Sequence, residues 1–237
     1  MQLLIFGKIY ILMTFIEYLQ SQRNVHVLEQ KYEQCDYFKL DLSEQNTELQ
    51  YFDLKNVDAF QDYIDRKAKE AHATIAYGGY LEPRLIYRHN TIFKNPSVEE
   101  RNIHLGIDLW LEAHSPIFCA LSGRVHSFQN NQNAGDYGPT IILEHEWNDR
   151  KFFTLYGHLS TDSLASLEIG QAFRQGDFLA KLGFPSENGN YAPHLHFQII
   201  LDLENNVGDY PGVCSKEQLQ KYADNCPNPL YLLNLSI

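Results

Sequence analysis

Residues 138–160 read GPTIILEHEWNDRKFFTLYGHLS. Two short apolar runs rich in β-branched and aromatic residues stand here on either side of Asn148 and Asp149. That composition favours a pleated, half-buried backbone, and Gly, Asn and Asp punctuate strands. The same pattern extends outward in both directions. SPIFCALSGRVHSF (115–128) precedes the stretch; QAFRQGDFLAKLG (171–183) and PHLHFQIILDL (193–203) follow it. Short strands at this spacing predict a compact antiparallel β-sandwich or barrel.

Further out, the character changes. VDAFQDYIDRKAKEAHA (57–73) carries Val57, Phe60, Ile64 and Ala68 at helical spacing, with basic residues late in the segment. Phe15, Ile16 and Leu19 can form the apolar face of an earlier helix. Gly78-Gly79 breaks the helical pattern. YLEPRLIYRH (80–89) is strand-like, with Pro83 confining it to an edge or a bend. The tail, 205–237, is rich in turn residues around a short helical piece, KEQLQKYA. The expected architecture is α+β: a mostly helical N-terminal extension over 1–98 with one edge strand, a β domain over 99–204, and a turn-rich tail over 205–237 that packs on the core.

With 237 residues, the chain is long enough for a sizeable core without staples. Its formal net charge of −11 argues against a nucleic-acid groove, which needs clustered Lys and Arg. It also argues against an electrostatic hold on anionic membranes. Cys35, Cys119, Cys214 and Cys226 form no C-x-x-C pair, and free thiols are expected; a Cys214–Cys226 disulfide is the alternative. The apolar start, MQLLIFGKIYILMTFI, is interrupted by Lys8 and is too short to span a bilayer. It offers no small-residue cleavage site, so no transmembrane anchor and no secretory signal are expected. Residues 1–12 are expected to lie outside the folded unit, and the cytoplasm is the favoured location, with the cell envelope as the alternative.

Three clusters carry the chemistry. HLGID supplies His104 and Asp108, LYGHLS supplies His158, and PHLHFQ supplies His194 and His196. Residues two apart in a strand share a face, so His194 and His196 can reach one site, one binding a metal while the other sits beside it. A catalytic zinc needs three protein ligands and an open fourth position. Two imidazoles and a carboxylate meet that need and leave two histidines for proton transfer. The remaining histidines, among them His114, His126 and His145, read as ordinary surface or core residues.

At these clusters the sequence resembles the lysostaphin/LytM-type zinc metalloendopeptidases, whose pattern is H-x-x-x-D, a G-H-L-S-like segment, then H-L-H-F. The resemblance runs from His104 to about Ile200. It implies a mostly antiparallel β fold (duplicated hybrid motif-like) with the metal in a groove. One Zn²⁺ would be held by His104, Asp108 and His196, with His158 and His194 as the catalytic pair. YGPTIILEH, APHLHFQ, DYPGVC and CPNP look like the version of this module found alongside kinase-like and class III aminotransferase-like domains. There are departures from the wall hydrolases. Gln198 stands where an acidic residue is usual, so a neutral amide would orient the ligand histidine. The stretch before the first ligand, KNPSVEERNI, lacks the tyrosine often found there.

The implied activity is hydrolysis of an amide bond in a peptide or peptidoglycan-like substrate. A cytosolic hydrolase of a small amide is a second reading. A non-catalytic, metal-containing regulatory module that activates another hydrolase is a third, opposed by the presence of all five site positions. Substrate contacts are expected from the loop residues Asn188, Asn190 and Tyr191, and from Tyr80, Glu82 and Arg84, which alternate upstream of the core.

Overall fold

The computed structural model describes residues 13–54, 56–85, 100–133 and 135–235. The expectation for residues 1–12 and the second half of the 80–89 segment fall outside them. In chain order the elements are α1 (Phe15–Ser21), β1 (Tyr37–Lys39), α2 (Val57–Ala71), β2 (Ile75–Gly78), β3 (Arg101–His104), β4 (Ile107–Trp110), β5 (Pro116–Phe118), β6 (Gly123–Asn131), β7 (Gly138–Trp147), β8 (Arg150–Gly157), β9 (Ala172–Phe173), β10 (Phe178–Lys181), β11 (His194–Ile200), β12 (Val213–Ser215), α3 (Leu219–Asn225) and α4 (Leu230–Leu233).

The protein is mainly β. Eight strands form one sheet in the order β1-β2-β4-β11-β8-β7-β6-β9. Two small ladders, β10-β5 and β12-β3, complete the described strands. The hairpin of β7 and β8 is the long antiparallel pair at its centre, with Asn148 and Asp149 both at positive φ in the turn. Positive φ is tolerated by Asn and Asp better than by most residues.

The sheet is mixed and does not close into a barrel, which corrects the barrel alternative. The cause is the N-terminal segment. β1 runs parallel to β2, with Tyr37 opposite Ile75 and Lys39 opposite Tyr77. Parallel neighbours need a long crossover, and α2 supplies it. The Asn56 side chain caps α2, accepting from Ala59 N at 3.1 Å. Its buried face (Phe60, Tyr63, Ile64) packs with Leu40, Leu42 and Leu49, and with Trp110 of β4. β2 in turn pairs with β4, placing Gly78 opposite Asp108. Residues 37–78 therefore extend the main sheet through β1 and β2 as well as packing α2 against it. Residues 80–85 form no regular strand. They follow β3 through a bridge between Pro83 and Ile103 and bonds from Arg84 N to Asn102 O (2.9 Å) and His104 N to Glu82 O (3.0 Å).

His145 on β7 lies in the core, its Nδ1–H donating to Ser122 O (2.9 Å) and its Nε2 2.7 Å from the Thr154 hydroxyl. Burial, only partly opposed by the Ser122 carbonyl, pushes it down to about 4 from 6.5. Between these values the unfolded chain binds a proton that the folded one refuses, so stability falls as pH drops from 6.5 towards 4. The slope from one such group is about 1.4 kcal/mol per pH unit. Urea midpoints measured at pH 7 and pH 5 with zinc in excess should show a smaller acid loss for His145→Leu than for the native chain. Equal losses would place the acid sensitivity elsewhere.

Candidate metal centre

The pairing of β4 with β11 sets His196 directly opposite Asp108. β8 lies on the other side of β11, with Gly157 opposite His196. His104 ends β3, and Gly106 lets the chain turn from one candidate ligand to the next. A Cβ on Gly106 would lie 2.7 Å from Phe197 O and 2.8 Å from the His196 ring, so only glycine fits there without displacing the imidazole.

Three atoms converge. His104 Nε2 lies 2.9 Å from His196 Nδ1 and 3.2 Å from Asp108 Oδ1, and His196 Nδ1 lies 3.1 Å from the same Oδ1. A tetrahedral ion with bonds of about 2.0–2.1 Å would separate its ligands by roughly 3.3 Å, so the triangle has the right edge. The protons are accounted for elsewhere. His104 Nδ1–H donates to Gly79 O (3.2 Å), leaving Nε2 bare. Gln198 Nε2–H donates to Pro211 O (3.2 Å), which turns Oε1 towards His196 (2.9 Å from its Nε2). His196 Nε2 must then carry the proton, and Nδ1 is bare.

Burial, followed by Arg84, pushes His104 down to about 3. For Asp108, burial alone would raise the value, but His104, Arg84 and His194 together hold it well below the usual carboxylate range. With its Nδ1 proton committed to Gly79 O, His104 turns the Nε2 lone pair towards the Asp108 carboxylate. Three lone-pair donors facing one another without a proton between them repel, and a divalent cation is the group that fits. Two nitrogens and one oxygen in a tetrahedral-sized triangle suit zinc.

His158 and His194 flank the triangle. His158 follows β8 at φ +61°, and its N–H donates to Tyr137 O (2.9 Å). Its Nδ1–H donates to Asn188 O (2.7 Å), and His194 Nδ1–H donates to Ala192 O (2.7 Å). Each therefore presents an unprotonated Nε2. The two rings stand 4.1 Å apart, and His194 is stacked on Trp110 at 5.7 Å. Burial foremost, with His194 adding to it, drives His158 well below its ordinary value; burial also lowers His194, against the pull of Asp108. His194 Nε2 is 3.8 Å from Asp108 Oδ1, farther than either nitrogen of the triangle.

A cleft opens on these residues, lined also by Arg84, Arg101, Tyr137, Tyr191 and Asp209. Of the substrate contacts expected from sequence, Arg84 and Tyr191 line it. Tyr191 lies edge-on to His158 at 5.1 Å, with its hydroxyl donating to Gly135 O (2.9 Å). Tyr80, Glu82, Asn188 and Asn190 are not in the lining. The Tyr80 hydroxyl is tied to Cys226 O (2.6 Å). Asn188 is fully buried, and its side chain knits the loop to Gly183 O and Tyr191. Glu82 grips Arg84 Nε (2.8 Å) and Leu42 N (3.2 Å). All four cysteines are free.

Sequence reasoning misses Tyr137. Its ring lies 5.0 Å from that of His196 and 5.6 Å from that of His158, with its hydroxyl 3.4 Å from His196 Nε2. The only signal was its place ahead of Gly138 at the start of β7; a search confined to the stretch before the first histidine could not find it.

A family model described as peptidase family M23 matches residues 102–207, the stretch that holds all five clustered residues. Residues 102–207 thus match the M23 peptidases, the LytM/lysostaphin family. Solved structures similar to the chain include a zinc-containing peptidase from Vibrio cholerae, 26% identical over 45% of this chain and 29% of that one, with a TM-score of 0.35. The catalytic domain of the antimicrobial peptidase lysostaphin from Staphylococcus simulans is 20% identical over 51% of this chain and 80% of that one, with a TM-score of 0.34. A putative M23 peptidase from Pseudomonas aeruginosa is 17% identical over 74% and 63%, with a TM-score of 0.38. The chain thus spans less than a third of the Vibrio cholerae peptidase's length. No curated protein matches it. The M23 match gives no support to kinase-like or aminotransferase-like companions. Among the described residues, no helix is long and apolar enough to cross a membrane.

Proposed function

We propose that the chain is a zinc-dependent peptidase that hydrolyses a peptide bond in a peptide or peptidoglycan-like substrate. The observation that carries this reading is the bare triangle of His104 Nε2, Asp108 Oδ1 and His196 Nδ1 within an M23 domain. Zinc bound there would supply Lewis acidity, bringing the pKa of a water to about 7 and offering positive charge to a carbonyl oxygen. His104, Asp108 and His196 would hold it. Gly79 O and Gln198 orient the two imidazoles so that His104 Nε2 and His196 Nδ1 face each other and Asp108 Oδ1.

His158 and His194 do the proton work. Their Nδ1 protons are committed to carbonyls, so each Nε2 enters the reaction as a base. One takes the water's proton and returns it to the leaving amine. Tyr191 and Trp110 hold the two rings in place, which limits the geometry open to them. The same walls exclude water from the face of His194 that packs on Trp110. The negative net charge and the cleft's mixed lining favour a peptide over a polyanionic substrate.

Purified protein should contain one zinc per chain and cleave either short peptides or peptidoglycan fragments, with loss of both metal and turnover on chelation. Zinc-loaded protein inert towards both substrate classes would favour the regulatory-module reading instead. Fractionation of cells expressing the chain would decide between the cytoplasm, which we favour, and the envelope.

A further inference from the structure

Arg84 is 2% exposed, yet it lies in the wall of the cleft. Its Nη1 donates to Asp108 Oδ2, the carboxylate oxygen that faces away from the triangle. Its Nε donates to Glu82 Oε2 at 2.8 Å, and its guanidinium lies 5.8 Å from the Trp110 ring centre. Burying a guanidinium is costly, and an apolar residue of similar size often gives equal or greater stability. Stability alone therefore gives no reason to place a cation here. The bond it makes does, because it leaves Asp108 one oxygen, Oδ1, to offer inward.

The location of Arg84 adds a second point. The M23 match begins at residue 102, so Arg84 lies outside it. So does Gly79, whose carbonyl fixes the tautomer of His104. The two are carried by one segment that is pinned along β3, with Leu81 N bonded to His104 O (2.8 Å) and Arg84 N to Asn102 O (2.9 Å). A side chain on Gly79 would strike the Glu82 carboxylate, with Oε2 at 2.0 Å, the same oxygen that accepts from Arg84 Nε. Two of the three candidate ligands thus take their outer partners from upstream of the family domain.

The geometry points to residues 79–84 as an integral part of the metal centre, with Arg84 a positioning residue that holds Asp108 to coordination through Oδ1 alone. This inference rests on the zinc reading above. It replaces the sequence-based expectation that Arg84 contacts substrate. It also gives the N-terminal segment a role: it completes a site that the matched domain alone leaves without two of its orienting partners. A planar guanidinium, with its donors in a rigid fork, can grip Glu82 and Asp108 at once; a lysine ammonium cannot reproduce that fork.

The test compares full-length native protein with Arg84→Met and Arg84→Lys, loaded with zinc or with cobalt(II). Zinc affinity is read by chelator competition, and the cobalt coordination by its visible absorption. Loss of an outer-shell partner typically weakens metal binding by about 10–100-fold. Arg84→Met should show that loss, and its cobalt bands should weaken as Asp108 becomes free to bind through both oxygens and raise the coordination number. Arg84→Lys should recover part of the affinity. Unchanged affinity and an unchanged cobalt spectrum in a folded Arg84→Met protein would overturn the inference while leaving the zinc reading intact. A raised KM with unchanged metal binding would also overturn it, returning Arg84 to substrate recognition. Native protein that binds neither metal would overturn both.

Discussion

Alanine at His104 or at Asp108 is expected to abolish zinc binding and turnover together. Structural zinc sites carry apparent binding free energies of about 10–16 kcal/mol. Shared over three protein ligands, the loss of one amounts to roughly 4 kcal/mol, or about a thousandfold in affinity. The structure gives a reason to expect no replacement donor. The triangle edges are 2.9, 3.1 and 3.2 Å, whereas His194 Nε2, the next nitrogen, is 3.8 Å from Asp108 Oδ1 and packed against Trp110. Asp108→Ala has an added cost, since it removes a carboxylate partner from the buried Arg84. Metal content by mass spectrometry and turnover on a cleavable peptide should fall in parallel. A His104→Ala protein that keeps stoichiometric zinc would remove His104 from the ligand set.

Alanine at His158 or His194 should separate the two readouts. Zinc content is expected to stay near one per chain while kcat falls by about 10²–10⁴-fold, the usual contribution of a positioned acid or base. KM should move little, because the lost interaction belongs to proton transfer and not to binding. The rings stand 4.1 Å apart, so the double variant should cost less than the product of the single losses. If His194→Ala lost zinc while His196→Ala kept it, the two histidines of β11 would have to exchange roles.

The cluster of His104, Asp108 and His196 was legible because its signal is short-range and chemical. His194 and His196 sit two apart in a segment that reads as a strand, so they share a face, and β11 is buried along its length. His104 and Asp108 flank a glycine that the fold requires. The amphipathic pattern of 57–73 gave α2, which ends at Ala71. Its use as a crossover was not legible, because β1 and β2 are three and four residues long and too short to show alternation. The outer partners were harder still. Arg84 and Asp108 are 24 positions apart, and nothing local marks their bond. Tyr80, Asn188 and Asn190 are polar residues beside a predicted site, but loop polarity cannot distinguish a side chain facing substrate from one closing its own turn. Asn188 does the latter, and its carbonyl holds His158.

His104 and His196 stand 92 positions apart in the chain. An ion shared between them would act as a reversible cross-link, clasping β3 to β11 and closing a loop that includes β4 to β10. A ligand that binds only the native state raises the unfolding free energy by about 2.7 kcal/mol at a hundredfold excess over its Kd. The thermal midpoint should therefore climb with free zinc and fall back on chelation, so that metal supply sets how long the folded chain survives heat or protease.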